Sequence, residues 1–214
     1  ANDWEDISTG ACPDGGGECL WVGDVGDNLN ARDDAALYAV REPLVDGAFG
    51  DLETDDFTRF PVGYGDEAVN VEALMVSADA SEFWMLEKVD GDTARIFHFS
   101  GPLSAQTTNR FSAAGEFAAP GVPIRGGRLI TGADLHPTGT RVLVRVYTGS
   151  FEYRLGEGQT PADLGLVQPI TVAPGPLSEG QGEAIGYTQD GIDVWTISES
   201  PAPPQPLHFY ACPD

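Results

Sequence analysis

Short apolar segments alternate with turn-forming residues along the whole chain. Runs of about four to eight apolar residues are separated by stretches rich in Gly, Pro, Asp, Asn and Ser, which is the pattern of β-hairpins. No window shows the sustained period of about 3.6 residues that a helix bundle requires. The sequence therefore predicts an all-β protein with little helix.

One segment of this pattern occurs four times. It begins as Asp-Trp-Glu-Asp-Ile at residues 3–7 and returns in degenerate form at 70–74, 131–135 and 181–185. Each copy leads through a turn into a second apolar segment, and a third segment follows. The second segments are marked by Trp21, Trp84, Leu143 and Trp195, which we interpret as core positions between repeats. Repeats of up to four antiparallel strands are typical of the blades of a β-propeller.

The repeats predict a single domain, residues 1–214, with four visible four-stranded blades. The expected units are 1–64, 69–119, 128–173 and 181–214, and the expected outer strands of the first three are 57–60, 110–112 and 166–170. The fourth unit lacks an outer strand, and the residues before Asp3 are too few to supply one. Either the ring closes in an unusual way or a blade is missing from the front. Because five blades make a commoner ring than four, we favour a five-bladed ring that lacks its first blade.

The first strand of a propeller blade lines the central channel. Residues two apart on a strand point the same way, so the repeat aims three pairs of oxygen-bearing side chains at one axis. The pairs are Asp3 with Glu5, Asn70 with Glu72, and Gln181 with Glu183. In the third unit, Thr131 and Ala133 hold these places and the acid is displaced to Asp134, which we include as a fourth contributor.

Converging carboxylates repel one another unless a cation neutralises them. Hard oxygen ligands without sulfur or imidazole favour calcium in a roomy ring. The sequence therefore predicts a calcium ion (Ca2+) in the channel. The alternative is that these acids accept hydrogen bonds from backbone amides of neighbouring blades and bind nothing. The acidic loop 24–28 is interpreted as an Asx-turn cluster, with a second metal site as its alternative.

The balance of charge restricts the partners. The chain has 34 acidic and 11 basic residues and a formal net charge of -23, which repels phosphate backbones and anionic lipid surfaces. No apolar run approaches the roughly twenty residues that span a bilayer. We therefore expect no nucleic acid and no membrane insertion. The expected partners are a calcium ion and a small ligand or protein that the sequence does not identify.

Three cysteines bear on the compartment. Cys12 and Cys19 flank a Gly-rich turn that would bring two adjacent strands together, which favours a disulfide in a secreted or periplasmic protein. Two free thiols in a cytosolic protein are the alternative; zinc is disfavoured because no second cysteine pair or clustered histidines accompany them. Cys212 has no obvious partner.

Several motifs also carry a resemblance. Residues 3–7, the Leu-Trp-Val-Gly-Asp-Val-Gly-Asp-Asn run at 20–28 and the Glu-Ala-Leu and Glu-Ala-Ile motifs at 72–74 and 183–185 resemble an exported bacterial β-propeller family of poorly defined activity. The resemblance covers nearly the whole chain and implies an N-terminal blade that is absent here. More distantly, the chain is similar to calcium-dependent propeller hydrolases such as phytases and lactonases, which hold their metal in the channel with Glu, Asp and Asn.

Two functions follow from these observations. The first is an exported calcium-binding β-propeller with a structural or ligand-binding role, which we also expect to self-associate through exposed edge strands. The second is a calcium-dependent hydrolase of an ester, lactone or phosphoester. The hydrolase is disfavoured because the sequence contains no nucleophile elbow, no phosphate-binding glycine loop and no clear general base.

Overall fold

A computed structural model describes residues 2–43, 53–174, 179, 181–199 and 204–212. These residues form sixteen β-strands and one 3-10 helix. The strands make four small sheets, arranged as the blades of a four-bladed β-propeller. The predicted all-β fold and its four repeated units are confirmed. Within the described residues, no helix has the length and apolarity needed to cross a bilayer.

Each blade is an antiparallel meander that starts at the channel and runs outward. Blade one consists of β1 (Trp4–Ala11), β2 (Glu18–Asp24), β3 (Ala36–Arg41) and β4 (Phe57–Gly63), with the short β8 (Asn109–Arg110) added parallel to β4. Blade two consists of β5 (Val71–Val76), β6 (Glu82–Glu87), β7 (Thr93–Ser100) and β9 (Ser112–Ala118). Blade three consists of β10 (Ile130–Leu135), β11 (Arg141–Val146), β12 (Gly149–Arg154) and β13 (Ile170–Pro174). The described residues of blade four form three strands, β14 (Gly182–Tyr187), β15 (Val194–Ser198) and β16 (Leu207–Tyr210).

Two predicted outer strands lie elsewhere than expected. The outer strand of blade two is β9, which includes only Ser112 of the predicted strand 110–112, whereas Arg110 belongs to β8 and pairs with blade one. The outer strand of blade three begins at Ile170, because the preceding Pro161–Leu166 segment is a 3-10 helix. Thr160 caps that helix together with Asp163, and Pro161 has the fixed φ of a first helical residue. The local capping signal therefore outweighs the apolar pattern of residues 166–170.

Neighbouring blades are held together by apolar faces. Trp21 of β2 is 2% exposed and packs edge-on against Phe83 of blade two, with ring centroids 5.1 Å apart. Trp84 of β6 lies in a second buried cluster shared with Val142 of blade three. Leu143 of β11 contacts Ile185 of blade four in a third cluster. The repeated second-strand position thus forms the core between blades, as predicted for Trp21 and Trp84.

The predicted disulfide between Cys12 and Cys19 is confirmed, with a Cα–Cα distance of 4.9 Å. The bond closes the turn between β1 and β2, and Cys212 is a free cysteine. Since Cys12 and Cys19 are both buried, the disulfide adds to the apolar core of blade one.

Candidate metal site in the central channel

A β-bulge at the same place in all four inner strands determines which side chains enter the channel. The register slips by one residue between Trp4 and Asp6, and at the equivalent places in the other blades. The extra residues are Glu5, Glu72, Thr131 and Glu183. A bulge re-aims a side chain out of the regular alternation. The three glutamates of the predicted site are therefore equivalent in the structure, and Thr131 takes their place in blade three.

Glu5 and Glu72, from neighbouring blades, are in direct contact. The two side chains share a hydrogen bond, and the carboxylate of Asp3 adds further negative charge beside Glu5. The carboxyl groups of Asp3 and Glu5 lie so close to Gly26 that a Cβ atom there would overlap both. Burial, and then the charges of Glu72 and Asp3, raise the pKa of Glu5 to about 9. A hydrogen bond between two carboxyl groups needs a shared proton, so Glu5 is protonated at neutral pH when no cation is bound.

Asn70 fixes the orientation of Glu72. The side-chain oxygen of Asn70 accepts a 2.6 Å hydrogen bond from the backbone N–H of Asp27, and its amide nitrogen donates to Oε1 of Glu72 at 3.2 Å. Both Asn70 and Glu72 are buried. Asn70 thus connects the loop of blade one to the acidic side chain of blade two.

Lys88, the single lysine of the chain, lies among these acids. Its ammonium group donates to Oε2 of Glu72 at 2.8 Å and to the hydroxyl of Tyr147 at 3.3 Å. Burial acts to lower the pKa of Lys88, but the hydrogen bond and charge of Glu72 outweigh it and raise the pKa. The sequence analysis did not identify Lys88 as a site residue. The only indication in the sequence was that Lys88 is the single lysine, while the other ten of the eleven Lys and Arg residues are arginines.

The acids of blade four form the other side of the channel mouth. Tyr147 donates a 2.9 Å hydrogen bond to Glu183, and the amide nitrogen of Gln181 donates to Glu183 at 3.2 Å and to Glu199 at 2.9 Å. Burial raises the pKa of Glu183. Lys88 and Tyr147 therefore connect Glu72 to Glu183 across the channel.

Asp134 lies apart from the other predicted ligands. By register it is equivalent to Ser8 of β1, three residues beyond the bulge, which is about 10 Å along a strand. Its carboxylate accepts a 2.8 Å hydrogen bond from the backbone N–H of Tyr187. The sequence alignment placed Ala133 at the position of Glu5, but in the structure Thr131 holds that position. The third copy of the motif was therefore aligned two residues too late.

Asp6, next to Glu5, connects three blades through hydrogen bonds to backbone amides. It is buried, and its Oδ2 accepts from the backbone N–H groups of Leu74 in blade two and Ala133 in blade three, at 2.8 and 3.2 Å. Burial raises its pKa well above the usual range despite these bonds. Asp6 and Asp134 thus follow the backbone-bonded alternative, while Glu5, Glu72 and Glu183 bond to side chains.

The carboxylates of the acidic loop after β2 also accept hydrogen bonds from backbone amides. Asp27 accepts from the N–H groups of Ala31 and Arg32 at 2.9 and 2.8 Å, and Asp24 accepts from the N–H of Asp3 at 2.9 Å. These bonds lower the pKa of Asp27 although burial opposes them. The loop has the contacts of an Asx-turn cluster, the interpretation favoured from the sequence.

The channel mouth fits a calcium ion in donor chemistry. Asp3, Glu5 and Glu72 supply carboxyl oxygens from two blades without sulfur or imidazole. In the described part of the chain, however, no group of three or more His, Cys, Asp or Glu side chains is already arranged to hold a metal ion. Instead a shared proton and the ammonium group of Lys88 balance part of the negative charge.

Comparison with known proteins adds information on the fold. No protein-family model matches the sequence, and neither does any curated protein. A solved structure of a Lactobacillus plantarum protein is 14% identical, with a TM-score of 0.50 over 96% of this chain and 50% of that chain.

Two further solved structures match over most of the chain. A 6-phosphogluconolactonase candidate from Bacteroides fragilis is 15% identical, with a TM-score of 0.47 over 91% of this chain and 47% of that chain. A TolB candidate from Agrobacterium tumefaciens is 14% identical, with a TM-score of 0.44 over 97% of this chain and 61% of that chain. The chain thus spans about half the length of the structures it matches. At identities this low, such matches concern the fold alone and carry no information on activity.

Proposed function

We propose that this protein is an exported β-propeller that binds calcium at the channel mouth, where the ion has a structural or ligand-binding role. The ligands would be the carboxylates of Asp3, Glu5 and Glu72. Asn70 orients Glu72, and the Gln181–Glu183 pair lies on the far side of Lys88. Calcium would supply the positive charge that this set of acids lacks.

The contact between Glu5 and Glu72 supports the proposal most directly. Two carboxyl groups from different blades approach each other with a third, Asp3, beside them. Unless a proton or cation intervenes, folding must overcome the repulsion among them. A pKa of about 9 for Glu5 means that the metal-free channel takes up a proton where a cation could bind.

Lys88 limits how strongly calcium can bind. Its ammonium group neutralises one charge at Glu72, and the side chain must give up part of that contact when a divalent ion arrives. The site therefore has a counter-ion of its own that competes with the metal. An affinity in the range of extracellular calcium, rather than that of a tight cytosolic buffer, is consistent with this competition.

The disulfide supports export. A bond between Cys12 and Cys19 persists in oxidising compartments and is rare in the cytosol. The acidic surface is compatible with a secreted or periplasmic protein and opposes aggregation by charge repulsion.

Thermal unfolding of metal-free protein tests the calcium proposal. The melting temperature is measured with calcium and with chelator for the wild type, Glu5→Gln and Glu72→Gln. An ion that binds only the folded state adds about 2.7 kcal/mol at a hundred times Kd. We expect a clear rise with calcium in the wild type and a reduced rise in both variants. The matched control is Glu157→Gln, which changes an exposed carboxylate in a distant turn.

Equal melting temperatures in calcium and chelator, for wild-type protein shown to be metal-free, would reject the proposal. Calorimetric titration provides a second measurement, since calcium binding should release protons from Glu5 at neutral pH. The enthalpy should therefore depend on the ionisation enthalpy of the buffer.

A calcium-dependent hydrolase is the second candidate. Asp3 and Glu5 are only half-buried, so an ion held by them would be reached by water or substrate. Tyr147, hydrogen-bonded to Lys88 and Glu183, supplies a hydroxyl group nearby. Calcium-stimulated turnover of aryl esters, lactones or aryl phosphates that is lost in Glu72→Gln would select the hydrolase. Calcium binding without turnover would leave the structural or ligand-binding role.

A further inference from the structure

One face of β1 lacks the cover that its equivalents have. Trp4 and Ile7 are 64% and 50% exposed. The equivalent residues of blade two, Val71 and Leu74, are fully buried, and so are those of blade three. In blades two and three this face packs against the preceding blade. In blade one this face stays partly exposed, since no blade among the described residues packs closely against it.

Blade four shows the complementary feature. Trp195 occupies the position of Trp21 and Trp84, which pack onto the following blade. Trp195 is nevertheless 38% exposed, and its neighbours Leu207 and Phe209 are 58% and 49% exposed. The prediction that all three tryptophans lie in the core between blades therefore fails for Trp195, because no blade of the described chain covers it.

Part of each face lines one cleft between blade four and blade one, whereas Trp4 and Phe209 lie outside its lining. Its volume is about 310 Å3, which is at the lower end of the range for small-molecule sites. The walls are mainly apolar and come from Ile7 and Leu20 on one side and Ile185, Trp195 and Leu207 on the other. The space is large enough for a small organic molecule.

A carboxylate lies in this apolar cleft. Asp134 lines it, and the described hydrogen-bond partners of Asp134 are the backbone amides of Tyr187 and Leu135. Asp6, a second buried carboxyl group, lies close enough for the charge of Asp134 to help raise its pKa, and no described salt bridge neutralises Asp134. Burial raises the pKa of Asp134 to about 6, so the group is mostly ionised at neutral pH. Negative charge without a cation, next to an indole ring, complements an organic ammonium group.

We propose that the cleft between blades four and one binds a small organic amine, with its apolar body against Trp195 and Ile7 and its ammonium group at Asp134. The site is separate from the candidate calcium site, because Asp134 is three residues further along the inner strand than the bulge glutamates. It would give the protein a ligand that neither the fold nor the calcium proposal supplies.

Calorimetric titration with phenethylamine tests this proposal, with 3-phenylpropionate as a probe of similar size and opposite charge. We expect saturable one-to-one binding of the amine and none of the carboxylate. Asp134→Asn should weaken amine binding at least about tenfold, since the amide still accepts from Tyr187 but carries no charge. Trp195→Ala should also weaken binding, whereas Trp4→Ala, at an exposed tryptophan outside the cleft, should leave it unchanged.

Three results would contradict the proposal. No binding of phenethylamine to folded wild-type protein would overturn the proposal, as would equal binding of 3-phenylpropionate or an undiminished affinity of Asp134→Asn. Sedimentation of the wild type and Trp195→Ala distinguishes another occupant: a dimer that Trp195→Ala dissociates would assign the cleft to a second copy of the chain. Circular dichroism confirms that each variant retains its strands.

Discussion

The protonation of Glu5 depends on the carboxyl groups that surround it in the folded protein. Its pKa in the folded, metal-free protein is about 9, compared with an ordinary value of 4.5. Because a raised pKa means that the folded state keeps its proton longer than the unfolded chain, stability falls as pH rises between these two values.

We therefore expect the melting temperature in chelator to decrease from about pH 5 to about pH 9, by more in the wild type than in Glu5→Gln. Saturating calcium should flatten this decrease, since the ion replaces the proton. Melting curves across this pH range test the prediction. A wild-type profile that is unchanged by Glu5→Gln would show that the contact with Glu72 does not control stability.

Lys88 gives a second prediction at the residue scale. Its salt bridge to Glu72 is buried, with side-chain exposures of 13% and 2%. Removing one partner of a buried pair leaves an uncompensated charge, which costs about 3–5 kcal/mol in fully buried cases. Lys88→Met should lower the melting temperature in chelator, and calcium should restore most of the loss by taking the place of the ammonium group.

The control for this prediction is Arg128→Met, which removes an ion pair to the exposed Asp92. Surface pairs contribute about 0–1 kcal/mol, so this variant should melt close to the wild type and respond equally to calcium. A Lys88→Met protein whose calcium response does not exceed that of the wild type would argue against a shared site for the two cations.

At the scale of the elements, the β1–β2 hairpin depends on its disulfide. Cys12 and Cys19 are separated by seven residues. Closing so short a loop reduces the entropy of the unfolded chain by an amount worth about 2.5 kcal/mol. Denaturant unfolding of Cys12→Ala/Cys19→Ala should show a loss of this size, while Cys212→Ala should have little effect. Thiol counting of the unreduced protein should find Cys212 alone reactive.

Two tryptophans at equivalent positions, Trp21 and Trp195, differ in how completely they are packed. Trp21 is enclosed between Phe60 and Phe83, so Trp21→Ala should cost about 3–5 kcal/mol. Trp195 has the same place in its blade but packs mainly on Phe209, with centroids 4.8 Å apart. Trp195→Ala should cost less than half as much, about 1–2 kcal/mol. Equal losses in urea unfolding would indicate that the last blade is covered in solution.

For the whole molecule, the net charge and the open edge of β16 have opposite effects on self-association. The sheet of blade four ends at β16, and no described strand pairs with its outer edge. Such an edge favours pairing with another chain, but a net charge of -23 repels a second copy at low salt. We therefore expect a monomer in dilute buffer and weak self-association at high salt, measured by analytical ultracentrifugation.

Phe209→Lys should suppress this association by placing a charge on the edge strand. Ile124→Lys, at an exposed apolar residue of a loop, should not. A wild-type protein that remains monomeric at all salt concentrations would mean that the edge of β16 is protected.

The repeated local pattern determined most of the fold. Apolar runs bounded by turn residues placed the inner three strands of every blade, because pairing between consecutive strands is local, although the inner strand of the third unit was aligned two residues too late. The disulfide was predictable for the same reason, since its cysteines flank one turn. The outer strands were less predictable: the capped 3-10 helix at Pro161–Leu166 displaced one, and β8 paired with a strand of another blade.

Only the tertiary structure decided which groups meet. The sequence showed that Glu5, Glu72 and Glu183 recur, but the bulges that aim them and the arrival of Lys88 between them depend on the relative placement of blades. Asp134 and Trp195 were assigned to the repeat from their residue types. Their surroundings differ from those of the equivalent residues in other blades, because both line the cleft between the last blade and the first. The repeated sequence determines the strands of each blade and which of their side chains face the neighbouring blades. Which residues those side chains contact depends on how the blades are arranged around the channel.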